Sequence, residues 1–157
     1  MKKMSKILLI LSFIILSSCG FKVVDTSKLN NFLIQEVKTI GDKKTSFKIK
    51  NNLLLSSKKN NENVLIINLN TVKKRNIKEK NIKNEITKYE IVLEVEVEFD
   101  LLNRNINDKF TINASGDYLI GSNYSTTLNN EKKLIDDLSE NISDKILNRI
   151  NLKINDI

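Results

Sequence analysis

Between Tyr89 and Leu101 the chain alternates. Ile91, Leu93, Val95, Val97, Phe99 and Leu101 are apolar, Glu90, Glu94, Glu96, Glu98 and Asp100 are acidic, and only Val92 breaks the rhythm. Successive side chains of a strand point to opposite faces, so this segment has one face to bury and one that meets water. The chain therefore has to build a sheet that is dry on one side only, and another apolar element has to cover that side.

A cover is present near the end of the chain. From Leu128 to about Ile154 the period changes, and Leu134, Ile135, Leu138, Ile142, Ile146 and Ile150 recur at three and four residues with charged positions between them. This is the apolar stripe of an amphipathic helix. Phe32 to Ile40 reads as a first strand closed by Gly41-Asp42, and Thr45 or Ser46 is placed to cap a short helix from Phe47 to about Ser57, burying Phe47, Leu53 and Leu54. After a turn at Lys59-Asn60-Asn61, a strand from Val64 to Val72 carries Leu65, Ile67 and Leu69 on one face. A fourth strand follows the turn Asn103 to Asp108 and places Phe110, Ile112, Ala114, Gly116, Tyr118 and Ile120 on one side. The expected fold is α+β, order β-α-β-β-β-α, with two helices packed on one face of a four-stranded, mostly antiparallel sheet.

The chain opens differently. Met1 to Lys6 carries three lysines and no acid, and an apolar run from Ile7 to Leu16, interrupted only by Ser12, follows directly. That is the layout of a secretory signal, and the run is about half the roughly 20 residues a bilayer-spanning helix needs. Leu16-Ser17-Ser18-Cys19 resembles the bacterial lipobox, in which two small residues precede a cysteine whose thiol accepts a diacylglyceryl group. Residues 1–18 are thus expected to be a lipoprotein signal peptide, with Cys19 the lipidated N-terminus of a single domain, residues 19–157. Several acyl chains on one residue suffice for stable attachment to a membrane. Gly20 stands where an aspartate favours inner-membrane retention in enteric bacteria, so the outer membrane is the expected address.

Composition narrows the chemistry. The chain has no histidine and a single cysteine, the one assigned to lipid. No Ser-His-Asp or Cys-His nucleophile system, no disulfide and no His/Cys metal site can be assembled. The four glycines, at 20, 41, 116 and 121, form no phosphate-binding loop. Carboxylate chemistry or a Ser-Lys pair is all that remains to an enzyme, so neither catalysis nor a cofactor is expected. The net charge of +7 falls to +4 once Lys2, Lys3 and Lys6 leave with the signal. With no aromatic-basic pattern in the chain, nucleic acid is not an expected partner.

Two clusters have alternative readings. Glu94, Glu96 and Glu98 share a strand face about 7 Å apart, a spacing open to calcium or acid/base work, or they are simply the solvated side of a half-buried strand. Lys73 to Lys88 holds seven cations against two acids around the hairpin joining the second and third strands. Lys73, Lys74, Arg75, Lys78, Lys80 and Lys83 either engage anionic lipid phosphates or lie across the ladder from the acidic strand. Tyr118 and Tyr124 bracket a glycine-containing turn, where packing with a bonded hydroxyl is the expected role.

Read together, Cys19-Gly20-Phe21 with Asp25-Thr26, the strand start Lys88-Tyr89-Glu90-Ile91-Val92-Leu93, Gly116-Asp117-Tyr118 with Tyr124 after it, and the long terminal helix resemble the LptE family of lipopolysaccharide-assembly lipoproteins. The resemblance covers nearly the whole mature chain in element order. It implies a domain anchored at the periplasmic face of the outer membrane that plugs an LptD-type β-barrel, helps to assemble it and takes part in delivering lipopolysaccharide to the cell surface. A polar sheet face suits the polar interior of a large barrel. Family members bind lipopolysaccharide, some through basic residues; with the terminal helices lined up, those positions carry no matching cations here, so the lysine-rich hairpin stays a separate candidate. An auxiliary lipoprotein of an envelope lipid ABC-type transporter has the same anchor and the same βα character, and is the alternative.

Overall fold

The computed structural model describes residues 32–59 and 61–155. The signal peptide, Cys19 and the Gly20-Phe21 and Asp25-Thr26 motifs lie outside the described residues.

The elements run β1 (Leu33–Gly41), α1 (Lys43–Leu55), β2 (Val64–Lys80), β3 (Ile86–Leu101), β4 (Ile106–Leu119) and α2 (Tyr124–Asn155). They form one four-stranded sheet in the order β1-β2-β3-β4 with two helices, the α+β arrangement expected from the sequence. β1 and β2 are parallel, joined through α1, and the other two pairs are antiparallel hairpins. The alternation in β3 has the expected result: Ile91, Leu93, Val95, Val97, Phe99 and Leu101 are buried while Glu94 and Glu98 are exposed. Leu65, Ile67 and Leu69 of β2 and Phe110, Ile112 and Tyr118 of β4 join the same core. α2 closes it with Ile135, Leu138, Ile142, Ile146 and Ile150, the stripe its spacing foretold. Ile120 falls just past the end of β4 and is half-exposed.

Several boundaries differ from the sequence reading. The turn expected over Asn103 to Asp108 ends at Asn105, because Ile106 to Asp108 already pair with Phe99 to Leu101, and β3 begins at Ile86 instead of Tyr89. α1 begins at Lys43 because Asp42 is its N-cap, with the carboxylate accepting the Thr45 N–H at 2.9 Å. That start turns Ile49 and Leu53 onto the sheet and rotates Phe47 outward, where it is 61% exposed; Leu54 also faces out, and Thr45 and Ser46 are buried instead of capping. Gly41 makes the junction possible. Its φ of 91° lies in the left-handed region, and a Cβ there would stand 2.1 Å from the Thr71 carbonyl oxygen. β2 continues eight residues beyond Val72, because Lys73 to Lys80 pair with Ile86 to Leu93 of β3. α2 starts at Tyr124, four residues before Leu128, with Asn123 accepting the Thr126 N–H at 2.9 Å.

Candidate functional site

Both helices cover one face of the sheet, so the other face is left bare. It carries Asn68 and Asn70 of β2, Glu94, Glu96 and Glu98 of β3, and Lys109, Thr111 and Asn113 of β4, a mainly polar surface in which Ile40 of β1, Ile66 and Val72 of β2 and Val92 of β3 also stand. Glu94 and Glu96 are engaged across the ladder. Lys109 bonds Glu96, and the Lys74 Nζ lies 4.0 Å from Glu94. Hydrogen bonding and charge from Lys109 hold the Glu96 carboxyl below its ordinary pKa. Among the described residues no group of three carboxylates converges as a metal ion would require. A shallow hollow of about 320 Å³ lies on this face between β1 and β4, lined by Ile40, Asn68, Asn70, Glu96, Glu98 and Lys109, with the Glu96 carboxylate already taken by Lys109.

The lysine-rich hairpin projects beyond the end of β1, which pairs with β2 only as far as Thr71. Its loop is tightly built: the Asn81 carboxamide accepts the N–H groups of Lys83 at 2.9 Å and Glu85 at 3.0 Å, and Asn84 takes the left-handed conformation at φ 64°. Strand alternation then separates the six cations singled out from the sequence. Lys73 and Arg75 turn toward the helices, where Lys73 sits 3.7 Å from Asp42 and Arg75 sits 3.7 Å from Glu131. Lys74 and Lys78 turn to the bare face, Lys78 reaching Glu90 at 3.0 Å and Asp117 at 3.9 Å. Those two carboxylates raise the Lys78 pKa, and Lys78 and Asn76 lower that of Glu90. Lys80 bonds only the Asn84 side-chain oxygen, at 3.0 Å, and among the described residues no carboxylate lies within 4 Å of Lys80 or Lys83. The structure thus brings Lys80 and Lys83 together at the hairpin tip, on either side of a fully exposed Ile82, and disperses the other four.

Solved structures of several lipoproteins match this arrangement. Rare lipoprotein B from Shewanella oneidensis aligns with a TM-score of 0.56 at 17% identity, over 76% of this chain and 97% of that one. A lipoprotein from Caulobacter crescentus gives 0.56 at 10% identity over 83% and 94%, and lipoprotein B from Nitrosomonas europaea gives 0.56 at 13% over 87% and 93%. This is an LptE-like lipoprotein fold. No protein-family model matches the sequence, and no curated protein matches it significantly. Identities this low establish the fold and leave the function to be argued.

Within the LptE-like fold, Tyr118 has the packed ring and bonded hydroxyl expected of it, in a cluster whose other members the sequence reading did not bring together. The Arg75 guanidinium lies over the Tyr89 ring, its carbon 4.5 Å from the centroid, and Tyr89 stacks on Tyr118 at 5.6 Å. The Tyr118 hydroxyl donates to Glu131 of α2 at 3.2 Å, and Glu131 in turn faces Arg75. Burial, then the Glu131 charge, push the Tyr118 pKa up against the opposing pull of Arg75. The cluster fastens the first turns of α2 to the root of the hairpin. Tyr124, the other tyrosine singled out, is 77% exposed and takes no part. A groove of about 520 Å³ between α1 and α2 is lined by polar groups such as Asn52, Ser139 and Glu140 and is bridged by the Lys48–Asp136 ion pair. Such a lining does not suit an apolar ligand.

Proposed function

We propose that this chain is an outer-membrane lipoprotein, held through acylated Cys19, that plugs and helps to assemble an LptD-type β-barrel and takes part in lipopolysaccharide delivery. One observation carries the reading: behind a lipobox stands a domain whose fold spans 97% of rare lipoprotein B. The bare sheet face supports it. A plug must present a polar surface to a water-lined lumen, and here each cation named on that face has a carboxylate partner across the ladder. The hairpin tip, where Lys80 and Lys83 flank Ile82, is the part best suited to lipopolysaccharide, offering cations to its phosphates beside an apolar side chain for its acyl chains.

The test is depletion of the protein in its own cell, followed by the folding of the large barrel and the amount of surface lipopolysaccharide. Both are expected to fall, and detergent extraction of the outer membrane is expected to recover the barrel with this chain. A barrel that assembles normally without it refutes the proposal. Recovery with an inner-membrane ATPase complex would instead favour the transporter-auxiliary reading.

A further inference from the structure

The surface of α1 differs from the rest of the molecule. From Lys43 to Lys59 the chain has six lysines and not one acid. Lys48 is occupied by Asp136, but among the described residues no carboxylate lies within 4 Å of Lys43, Lys44, Lys50, Lys58 or Lys59. The hairpin, richer in charge along the sequence, has most of its cations paired; α1 does not. Between the lysines of α1 stand apolar side chains that its packing leaves outside. Phe47 and Leu54, two helical turns apart and so on one side, are exposed, and Leu55 beside them is 81% exposed. Thr45, Ser46, Ile49 and Leu53 already bury another side of the helix, so packing within the domain does not account for Phe47 and Leu55, and it covers Leu54 only in part.

This combination, large apolar side chains in a field of unneutralised lysines, is that of a helix lying in the headgroup region of an anionic bilayer. No described helix is long and apolar enough to cross a membrane, so contact of this kind would be at the surface. The position of the tether agrees. The C-terminal end of α1 lies beside the start of the described domain, where the Lys58 N–H donates to the Phe32 carbonyl at 3.2 Å. Cys19 is 13 residues before Phe32, a span of at most about 45 Å when fully extended. A domain held by Cys19 therefore hangs from the end at which Leu54, Leu55, Lys58 and Lys59 stand. We infer that the outer face of α1, with Phe47 and Leu54 inserted and Lys43, Lys44 and Lys50 around them, docks on the anionic phospholipid surface of the leaflet that carries its anchor, beside the barrel mouth. The direction of approach rests on Cys19 being the acylated residue; the lipid affinity of the face does not.

The chain contains no tryptophan, so Phe47→Trp is a unique reporter. It is made in the mature chain carrying Cys19→Ala, so that no acyl chain contributes, and is titrated with vesicles of phosphatidylethanolamine and phosphatidylglycerol at 3:1, with phosphatidylcholine vesicles for comparison. Emission is expected to shift to the blue and to be quenched by brominated acyl chains in the anionic vesicles alone, with the effect lost in high salt. Near an anionic surface each lysine strengthens binding roughly fivefold, so Lys43→Gln, Lys44→Gln and Lys50→Gln together weaken it on the order of a hundredfold. Ile82→Trp, at the hairpin tip, is expected to stay unquenched. A folded Phe47→Trp protein whose emission ignores anionic vesicles overturns the inference. So does quenching at position 82 without quenching at 47, or a shift produced by the barrel and not by lipid. Mass analysis of Cys19 in the detergent-extracted native protein tests the anchor separately, and a free thiol there leaves the vesicle result standing.

Discussion

Asp42 does two things with one carboxylate, and replacing it in two ways separates them. One oxygen accepts the Thr45 N–H at 2.9 Å and caps α1; the other lies 3.7 Å from the Lys73 ammonium of β2. Asp42→Ala loses both. The cap is worth about 1 kcal/mol, and an ion pair whose side chains are 28% and 25% exposed adds about 0.5 kcal/mol, so the variant is expected to lose about 1.5 kcal/mol. Asp42→Asn keeps an acceptor for Thr45 and loses only the charge, and is expected to cost about 0.5 kcal/mol. Urea unfolding followed by circular dichroism reads both, with an unchanged slope in denaturant confirming that only stability has moved. The pH dependence gives a second check. Burial opposes ionisation of Asp42, but the Thr45 bonds and the Lys73 charge outweigh it, leaving its pKa below the ordinary 3.8. A lowered carboxylate pKa stabilises above the unfolded value and is lost as pH falls through the folded one, so the gap between wild type and Asp42→Asn should be constant near neutrality and close below about pH 4. Equal losses from the alanine and asparagine variants at pH 7, or a gap that persists in acid, would refute this division of labour.

Gly41→Ala is expected to cost at least about 2 kcal/mol in the same assay, since the residue sits at φ 91° with the Thr71 carbonyl in the way of any Cβ; wild-type stability would mean that β1 does not enter α1 by this turn. Ile142→Ala should lose about 2–5 kcal/mol because the side chain is fully buried beneath α2, whereas Leu152→Ala on the same helix, 65% exposed, should fall within about 0.5 kcal/mol of wild type. Tyr118→Phe removes the hydroxyl bonded to Glu131 while leaving the stack on Tyr89, and about 1 kcal/mol is the expected loss. A Tyr118→Phe protein as stable as the parent would show that the ring alone holds α2 to the hairpin.

What the sequence made legible follows from how local each signal is. The alternation of β3 and the stripe of α2 are complete within one element, and every position named for them is buried except Leu134, which is partly buried against the core. The phase of α1 was not legible, because Phe47, Ile49, Leu53, Leu54 and Leu55 fit more than one helical stripe. The turn at Gly41 and the cap at Asp42 choose between the stripes, and both act from outside the apolar pattern. Lys73 to Lys80 contains a single large apolar residue, Ile77, so nothing in it announces a strand; its partner β3 supplies the reason for it to extend. The Arg75–Tyr89–Tyr118–Glu131 cluster draws on three strands and a helix, and no spacing along the chain foretells it.

The same distinction decides where positive charge is available to a partner. Along the sequence the densest run of cations is the hairpin, but a strand sends successive side chains to opposite faces and an antiparallel neighbour brings its own charges opposite them. β3 is acidic, so the ladder that forms the hairpin also neutralises Lys74 and Lys78, while Asp42 and Glu131 take Lys73 and Arg75. α1 lies beside Asp136, Glu140 and Asp144 of α2 along their shared groove, but most of its lysines point elsewhere, and among the described residues only Lys48 comes within 4 Å of one of those carboxylates. The helix spacing of α1 gathers the others around Phe47 and Leu54. Availability is thus set by what each element packs against, and the moderately charged helix keeps more uncompensated charge than the strongly charged hairpin. Raising ionic strength should accordingly weaken association of the α1 face with anionic vesicles more than it changes the stability of the hairpin, whose pairs are short-range and ordered by the ladder.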